Sequence, residues 1–375
     1  MWTISGWYEE ARRGAEGNAQ YVRDMADLAL RLYDNSLPGV PRAQVVRRLQ
    51  EWNRKRLDAV PDLKRYPELR GVRELVEAEW RGVRDGVGLS DEQWAAHCDG
   101  HFYYHRFVTA GRVEPFHCSC IFFPTSDHGP LFASNLDTSL DQPFQAPEWP
   151  ACSEHLVIGG VSSGVYLDEE PPEIFPAPVM RLVGRYCRNT DEAVEMLKRY
   201  NYFWGPGNLI VVDREHRVAM IEKTACRIGV RYSPDGFGFI TAMTALDPDI
   251  KAYLDDRRRA SVQARNLPPE NADVAYWRVQ DKRASLMTEL LDEARKNPTL
   301  ETMQRFIQFR SPERGNVCGD GEVYFPGGPP SEYTLRTAIW LLREGKAMWW
   351  ARVGDTPSFK NRMPDVQYRD VWLWD

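Results

Sequence analysis

Residues 116–137 read FHCSCIFFPTSDHGPLFASNLD. A small nucleophilic residue, Cys118, stands at the head of an apolar strand-like run. The turn-like TSDHG follows, and a second run ends in Asn135-Leu136-Asp137. Apolar and β-branched residues bounded by Pro, Gly, Ser and Asp predict a pair of strands joined by a turn. Cysteine suits nucleophilic acyl chemistry because its thiolate attacks carbonyls readily and also leaves readily. Such a nucleophile needs a base and a polar group to hold the developing oxyanion. Were the chain cut before Cys118, the freed α-amine, with an unperturbed pKa of about 8, would be that base.

Outward from this pair the texture changes twice. Towards the N-terminus, residues 8–34 carry Tyr8, Ala11, Ala15, Tyr21, Met25, Leu28 and Leu32 at near-helical spacing, and Leu37-Pro38-Gly39 ends that run. Residues 42–57 and 70–84 repeat the pattern, the second with Val72, Leu75, Val76 and Trp80 on one face. Towards the C-terminus, HLVIGGVSSGVYL (155–167) precedes a Pro-rich loop at 168–178. Thr190 is read as the cap of a helix begun by Asp191 and Glu192. NLIVVD, VAMIEK, CRIGVRY and FGFITAM then predict hairpin strands, and 272–296 and 299–309 helices. YTLRTAIWLL and AMWWARV form a last hairpin across Arg343-Glu344-Gly345-Lys346. Strands gathered into hairpins, with helices in blocks, predict an α+β fold: a four-layer αββα sandwich of mostly antiparallel sheets. The expectation is a helical N-terminal segment over 1–117 followed by a second, strand-rich domain over 118–375, which would carry any catalysis by Cys118.

The chain has 375 residues, 43% of them hydrophobic, with a net charge of −6. That suffices for a large core and argues against disorder. No dense basic run suggests nucleic acid; the longest, Arg257-Arg258-Arg259, reads as a solvated helix face. No signal peptide or membrane-spanning stretch is visible, so the expectation is a cytoplasmic protein without membrane partners. Seven cysteines, at 98, 118, 120, 152, 187, 226 and 318, are an odd number without framework spacing and read as reduced thiols.

The stretch 116–137 resembles the cysteine N-terminal-nucleophile (Ntn) hydrolases related to acyl-coenzyme A:6-aminopenicillanic-acid acyltransferase, the C45 peptidase family. There a helical segment ends at a nucleophilic Cys followed by Ser or Thr, and a strand ending Asn-x-Asp comes shortly after. Cys118-Ser119 and Asn135-Leu136-Asp137 are similar to both parts. Residues 208–232 are similar to the family's central hairpin, Cys318 to a late Cys, and 333–357 to its closing hairpin and Gly-x-Pro tail. The resemblance runs colinearly from about residue 100 to the end. It implies an amide hydrolase or acyltransferase needing no cofactor and acting on a small-molecule or peptide-like amide. Autoproteolysis between His117 and Cys118 would expose the amine, with Asn135 and Asp137 orienting and polarising it. Ser119, Ser163 and Thr241 are implied as substrate-binding groups.

The chain also departs from the family. His117 stands where the family has Gly, which permits a strained scissile bond more cheaply. Thr241-Ala242-Met243 replaces Thr-Asn-His and so lacks an oxyanion donor. Gly319 replaces an Arg, and Ser162-Ser163-Gly164-Val165 a segment that carries Asn. Loss of one oxyanion donor costs roughly two to three orders of magnitude in rate. Two other readings therefore stay open: a catalytically silent, uncleaved ligand-binding protein, and an intact chain using Cys118 with a His such as His117 as base.

Other constellations are weaker. His117, Cys118 and Cys120 with His128, Cys98 or His101 lack zinc-site spacing. His97, His101 and His105 would stack along a helix, among aromatics that make packing the simpler role. Acidic 168–170 lies in a loop. Gly205-Pro206-Gly207 and 327–330 precede no helix as a phosphate loop must. Trp349-Trp350 and Trp372 with Trp374 read as core or interface residues.

Overall fold

The computed structural model describes residues 3–37, 39–59, 72–99, 118–138, 151–152, 154–162, 183–184, 186–199, 207–224, 227–242, 244–269, 271–322 and 332–368. Helices come first: α1 (Ile4–Gly17), α2 (Ala19–Ser36), α3 (Arg42–Ala59), α4 (Val72–Val87) and α5 (Asp91–Asp99). The run expected at 8–34 is thus two helices. Asn18 ends α1, donating from its side chain to Gly14 O (2.9 Å) and from its backbone to Ala15 O (3.1 Å). Gly14 and Gly17 weaken the helix at that point.

The seven-stranded sheet comprises β1 (Ser119–Phe123), β2 (Leu131–Thr138), β8 (Gly238–Thr241), β11 (Asp320–Glu322), β12 (Glu332–Leu341), β13 (Lys346–Ala351) and β14 (Val366–Gln367). Its order is β14-β13-β12-β2-β1-β8, with β11 also pairing β12. A five-stranded sheet holds β3 (Ala151–Cys152), β4 (Leu156–Ser162), β5 (Gly207–Asp213), β6 (Val218–Lys223) and β7 (Ile228–Tyr232) in chain order. Every pairing in both is antiparallel. β1 lies inside its sheet, between β2 and the edge strand β8. The last of the four expected hairpin strands, β8, leaves its neighbours and joins the other sheet. Arg310–Ser311 (β9) and Gly315–Asn316 (β10) form a small separate hairpin.

Three apolar layers fix the stacking. Cys120, Phe122, Phe132, Ile240 and Trp340 of the first sheet share one core with Val157, Val161, Ile210, Val212 and Met220 of the second. The sheets therefore face each other. The remaining elements are α6 (Thr190–Arg199), α7 (Pro248–Arg265), α8 (Ala272–Lys296) and α9 (Leu300–Ile307). On the outer face of the first sheet, Ile121, Phe123, Ala133 and Ile339 pack on Met287, Leu290, Leu291 and Phe306 of α8 and α9. On the outer face of the second, Ile158, Val211 and Ile221 pack on Val194 and Leu197 of α6, joined by Trp7 of α1 and Val76 of α4. This is the expected αββα sandwich, covered on both faces, and that is why β1 and β5 read as unbroken apolar runs.

Local signals set several details. Gly129, at φ +79, closes the turn between β1 and β2, where Ser126 Oγ accepts from His128 N (2.9 Å). Asn189, not Thr190, caps α6, accepting from Glu192 N (2.9 Å). Thr190 instead donates to Arg217 O (2.7 Å), anchoring the helix to the second sheet. The basic run on α7 is not wholly solvated: Arg258 is buried and paired with Asp281 (3.0 Å), its guanidinium over Trp277. Neighbouring positions on one helix turn face different sides, so a run of like charges need not be a solvated face.

Candidate active site

Cys118 immediately precedes β1, and its partners follow from the ladder. Ser119 lies opposite Asn135 on β2 and Thr241 on β8. One step back, Cys118 lies beside Leu136 and Ala242, whose backbone N–H donates to Cys118 O (3.1 Å). Leu136 in turn pairs with Arg336 on β12. Ala242, Cys118, Leu136 and Arg336 thus form one row across four strands. Side chains alternate along a strand. Cys118 and Cys120 share the face that looks toward the second sheet, and Cys118 packs against the inter-sheet core. Arg336 shares that face, two and four residues before Ala338 and Trp340 of the same core. The nucleophile candidate sits at the end of the sandwich where the apolar filling gives way to polar groups.

Those groups come mostly from the second sheet. Buried Asn208 of β5 donates to Thr241 O (2.7 Å) and Thr244 O (2.9 Å). Buried Glu222 of β6 accepts from Arg231 (2.8 Å) and from the backbone of Leu246 (2.7 Å) and Asp247 (2.5 Å). Thr244 Oγ1 donates to Asp281 (2.9 Å). The bonds from Asn208 and Glu222 fasten the chain after β8 to the opposing sheet, and the Thr244–Asp281 bond ties it to α8.

Cys118 is half-buried as a residue, and its thiol is pushed up to about 11. Burial is the main cause and the Asp137 carboxylate adds to it; a backbone N–H from Asp137 and the charges of Arg336 and Arg283 act against it. Cys120 is raised further by burial and by Cys118, and approaches Gly160 O (3.8 Å).

Asn135, Asp137, Ser119 and Thr241 point to the opposite, helix-covered face. Asn135 donates to Ile307 O (2.9 Å) and Val317 O (3.0 Å) and accepts from Thr337 (2.7 Å). Asp137 accepts from Thr334 Oγ1 (2.6 Å) and faces Arg283 of α8 (3.4 Å), in a fully buried pair. Ser119 and Thr241, cross-strand neighbours, have buried hydroxyls without a hydrogen-bond partner among the described residues. The fold brings Cys118, Asn135, Asp137, Ser119 and Thr241 into one neighbourhood, but of these five only Cys118 faces the second sheet. His117, Ser163, His101 and His105 lie outside the described residues. Cys98, Cys187 and Cys318 are buried; Cys187 packs in the outer core of the second sheet and Cys98 lies on α5, both away from the inter-sheet layer. Among the described residues no group of three or more His, Cys, Asp or Glu could hold a metal.

Arg283, Thr334 and Arg336 escaped the sequence reading. Arg336 alone left a trace: it interrupts the apolar alternation of YTLRTAIWLL at an inward position.

Neither a protein-family model nor a curated protein matches the sequence. Among solved structures, the chain is similar to a mutant of conjugated bile acid hydrolase from Clostridium perfringens. The identity is 13% over 68% of this chain and 98% of that one, with a TM-score of 0.37. A second variant of the same hydrolase matches at 13% identity over 68% of this chain and 91% of that one, TM-score 0.31. The four-layer arrangement stands on the ladders and cores described above.

Proposed function

We propose that this chain is a cysteine-nucleophile amide hydrolase of the Ntn type, with Cys118 as nucleophile and a small-molecule or peptide-like amide as substrate. The observation that supports it best is the setting of Cys118: a strand-head thiol at the end of the core between two sheets, where buried polar groups take over, with a hydrogen bond from the Asp137 N–H to its sulfur. In this reading the chain is first cut between His117 and Cys118. The sulfur then attacks the amide carbonyl while the freed α-amine takes the thiol proton. The C–N bond breaks as that proton passes to the leaving nitrogen, and a thioester remains. Water hydrolyses the thioester and restores the thiol, or an acceptor amine takes the acyl group. Asn135 and Asp137 act from behind the strand, keeping the nucleophile and its backbone nitrogen in register. Ser119, Ser163 and Thr241 remain proposed contributors to the substrate pocket.

Two measurements test this. Intact mass distinguishes one species of 43.3 kDa from two chains split before Cys118. Turnover of a panel of amides should vanish in Cys118→Ala and persist in Cys120→Ala. Equal turnover in wild type and Cys118→Ala would sink the assignment.

One observation favours a second reading, a silent ligand-binding chain. With a thiol near 11, only about one Cys118 in ten thousand is ionised at pH 7 in the uncut chain. An uncut species with no turnover across the panel would select that reading.

A further inference from the structure

The basic run Arg257-Arg258-Arg259 of α7 sends its side chains to three different places. Arg258 is buried against Asp281, and Arg259 pairs with Asp256. Arg257 pairs with no carboxylate among the described residues. It leans on Tyr253, four residues earlier on the same side of α7, with its guanidinium carbon 5.9 Å from the ring centre. A second guanidinium meets the same ring from another element. Arg227, just ahead of β7, lies 4.0 Å over Tyr253 and likewise has no carboxylate partner among the described residues. Both charges share one ring and so lie within about 10 Å of each other. Arg227 is held from its backbone: its N–H donates to Thr224 Oγ1 (3.1 Å) and its carbonyl accepts from Thr224 N (3.0 Å). Its side chain is exposed, while Tyr253 and Arg257 are half-buried. The acids around them are engaged elsewhere: Glu222 with Arg231, Asp247 with the first turn of α7, and Asp255 with Lys251 and Arg258. Asp249, one turn before Tyr253, ion-pairs with neither arginine. A guanidinium lying flat on a ring keeps its edge N–H groups for an anion.

We propose that Arg227 and Arg257, gathered on Tyr253, form a binding site for the phosphoryl group of a small molecule. The charge count selects the ligand. Two permanent positive charges without counter-charges ask for two negative ones, and a phosphoryl group carries nearly two at neutral pH with three acceptor oxygens, where a carboxylate carries one. β7 is the edge strand of the second sheet, two strands from β5, so the site stands apart from the layer that holds Cys118 and is independent of the reading of that residue.

Phenyl phosphate and phenyl sulfate are a matched pair of similar shape, dianion against monoanion, for titration calorimetry on the full chain at fixed ionic strength. At pH 8 phenyl phosphate should bind about tenfold more tightly than phenyl sulfate. The difference should vanish at pH 5, below the second phosphate pKa of about 6. Arg227→Gln and Arg257→Gln should each weaken phenyl phosphate about tenfold, as loss of one charge-assisted contact does, and the Lys variants should weaken it less. Inorganic phosphate serves as a third probe: affinity equal to that of phenyl phosphate identifies the free ion as the occupant, and weaker affinity a phosphorylated organic molecule, both within the proposal. No binding of phenyl phosphate to the wild type, equal affinities of the two esters at pH 8, or unchanged binding in the Arg227→Gln, Arg257→Gln double variant each overturns it. So does a glutamate-rich peptide that binds more tightly than phenyl phosphate, since the patch would then serve an acidic protein partner.

Discussion

At the residue scale, the position of Asp137 gives the clearest expectations. Its carboxylate raises the Cys118 thiol while pairing with buried Arg283. In the uncut chain, Asp137→Asn should therefore lower the pH midpoint of Cys118 alkylation below about 11, read by labelling rate against pH. The same change leaves the Arg283 guanidinium buried without its counter-charge and should cost about 3–5 kcal/mol in urea unfolding. The behaviour of Ser119 and Thr241 should be opposite. Their hydroxyls are buried and have no partner among the described residues, so each has lost water without gaining a bond there. Ser119→Ala and Thr241→Val should leave stability unchanged or raise it by up to about 1 kcal/mol, measured by chemical denaturation. A loss of more than that would mean the hydroxyls hold something essential to the fold.

At the scale of elements, α1 and α4 make the tightest contact. Ala11 and Ala15 of α1 meet Gly82 and Gly86 of α4, and Trp7 Nε1 donates to Glu79 (3.0 Å) at one end. A Cβ on Gly82 would lie 2.5 Å from Tyr8 O, and one on Gly86 still closer to Arg12 O. Helix propensity favours Ala over Gly by roughly 1 kcal/mol. Against rigid backbone the clash wins, because overpacking of this kind costs about 1–3 kcal/mol and backbone cannot rotate away. Gly82→Ala and Gly86→Ala should lower the melting temperature, whereas Gly14→Ala, exposed on α1 with nothing within 4 Å, should raise it. Since Trp7 and Val76 of these two helices also pack on the second sheet, the glycine variants should loosen that outer face as well.

For the whole molecule, several buried thiols set an alkaline limit. Cys118 and Cys318 are pushed up to about 11 and Cys187 to about 12, in each case chiefly by burial, from an ordinary value of 9.0. The folded state therefore keeps protons that the unfolded chain releases. This contribution is complete below pH 9 and is lost as pH climbs through 9 toward 11 and 12. Urea unfolding between pH 8 and 11 should show falling stability above pH 9, and a shallower fall in Cys187→Ala. A flat profile would mean that these thiols ionise equally in both states.

The sequence by itself determined the elements and their grouping. Runs such as FHCSCIFF and NLIVVD announce strands buried on both faces, and amphipathic blocks announce the helices that cover them. A hairpin's register is local and follows from its turn, so the spacing of Cys118, Asn135 and Asp137 already brings the three onto paired strands. Tertiary structure decided what is not local. That β8 abandons its hairpin neighbours for β1, that Arg283 arrives from α8 to neutralise Asp137, and that Arg336 shares a row with Cys118 all depend on pairings across more than a hundred residues. Periodicity tells which residues share a face of one strand, and says nothing of which distant strand will lie beside it. Only the ladder separates the face that holds Cys118 from the face that holds Asn135 and Asp137, because side-chain direction alternates while closeness in sequence does not.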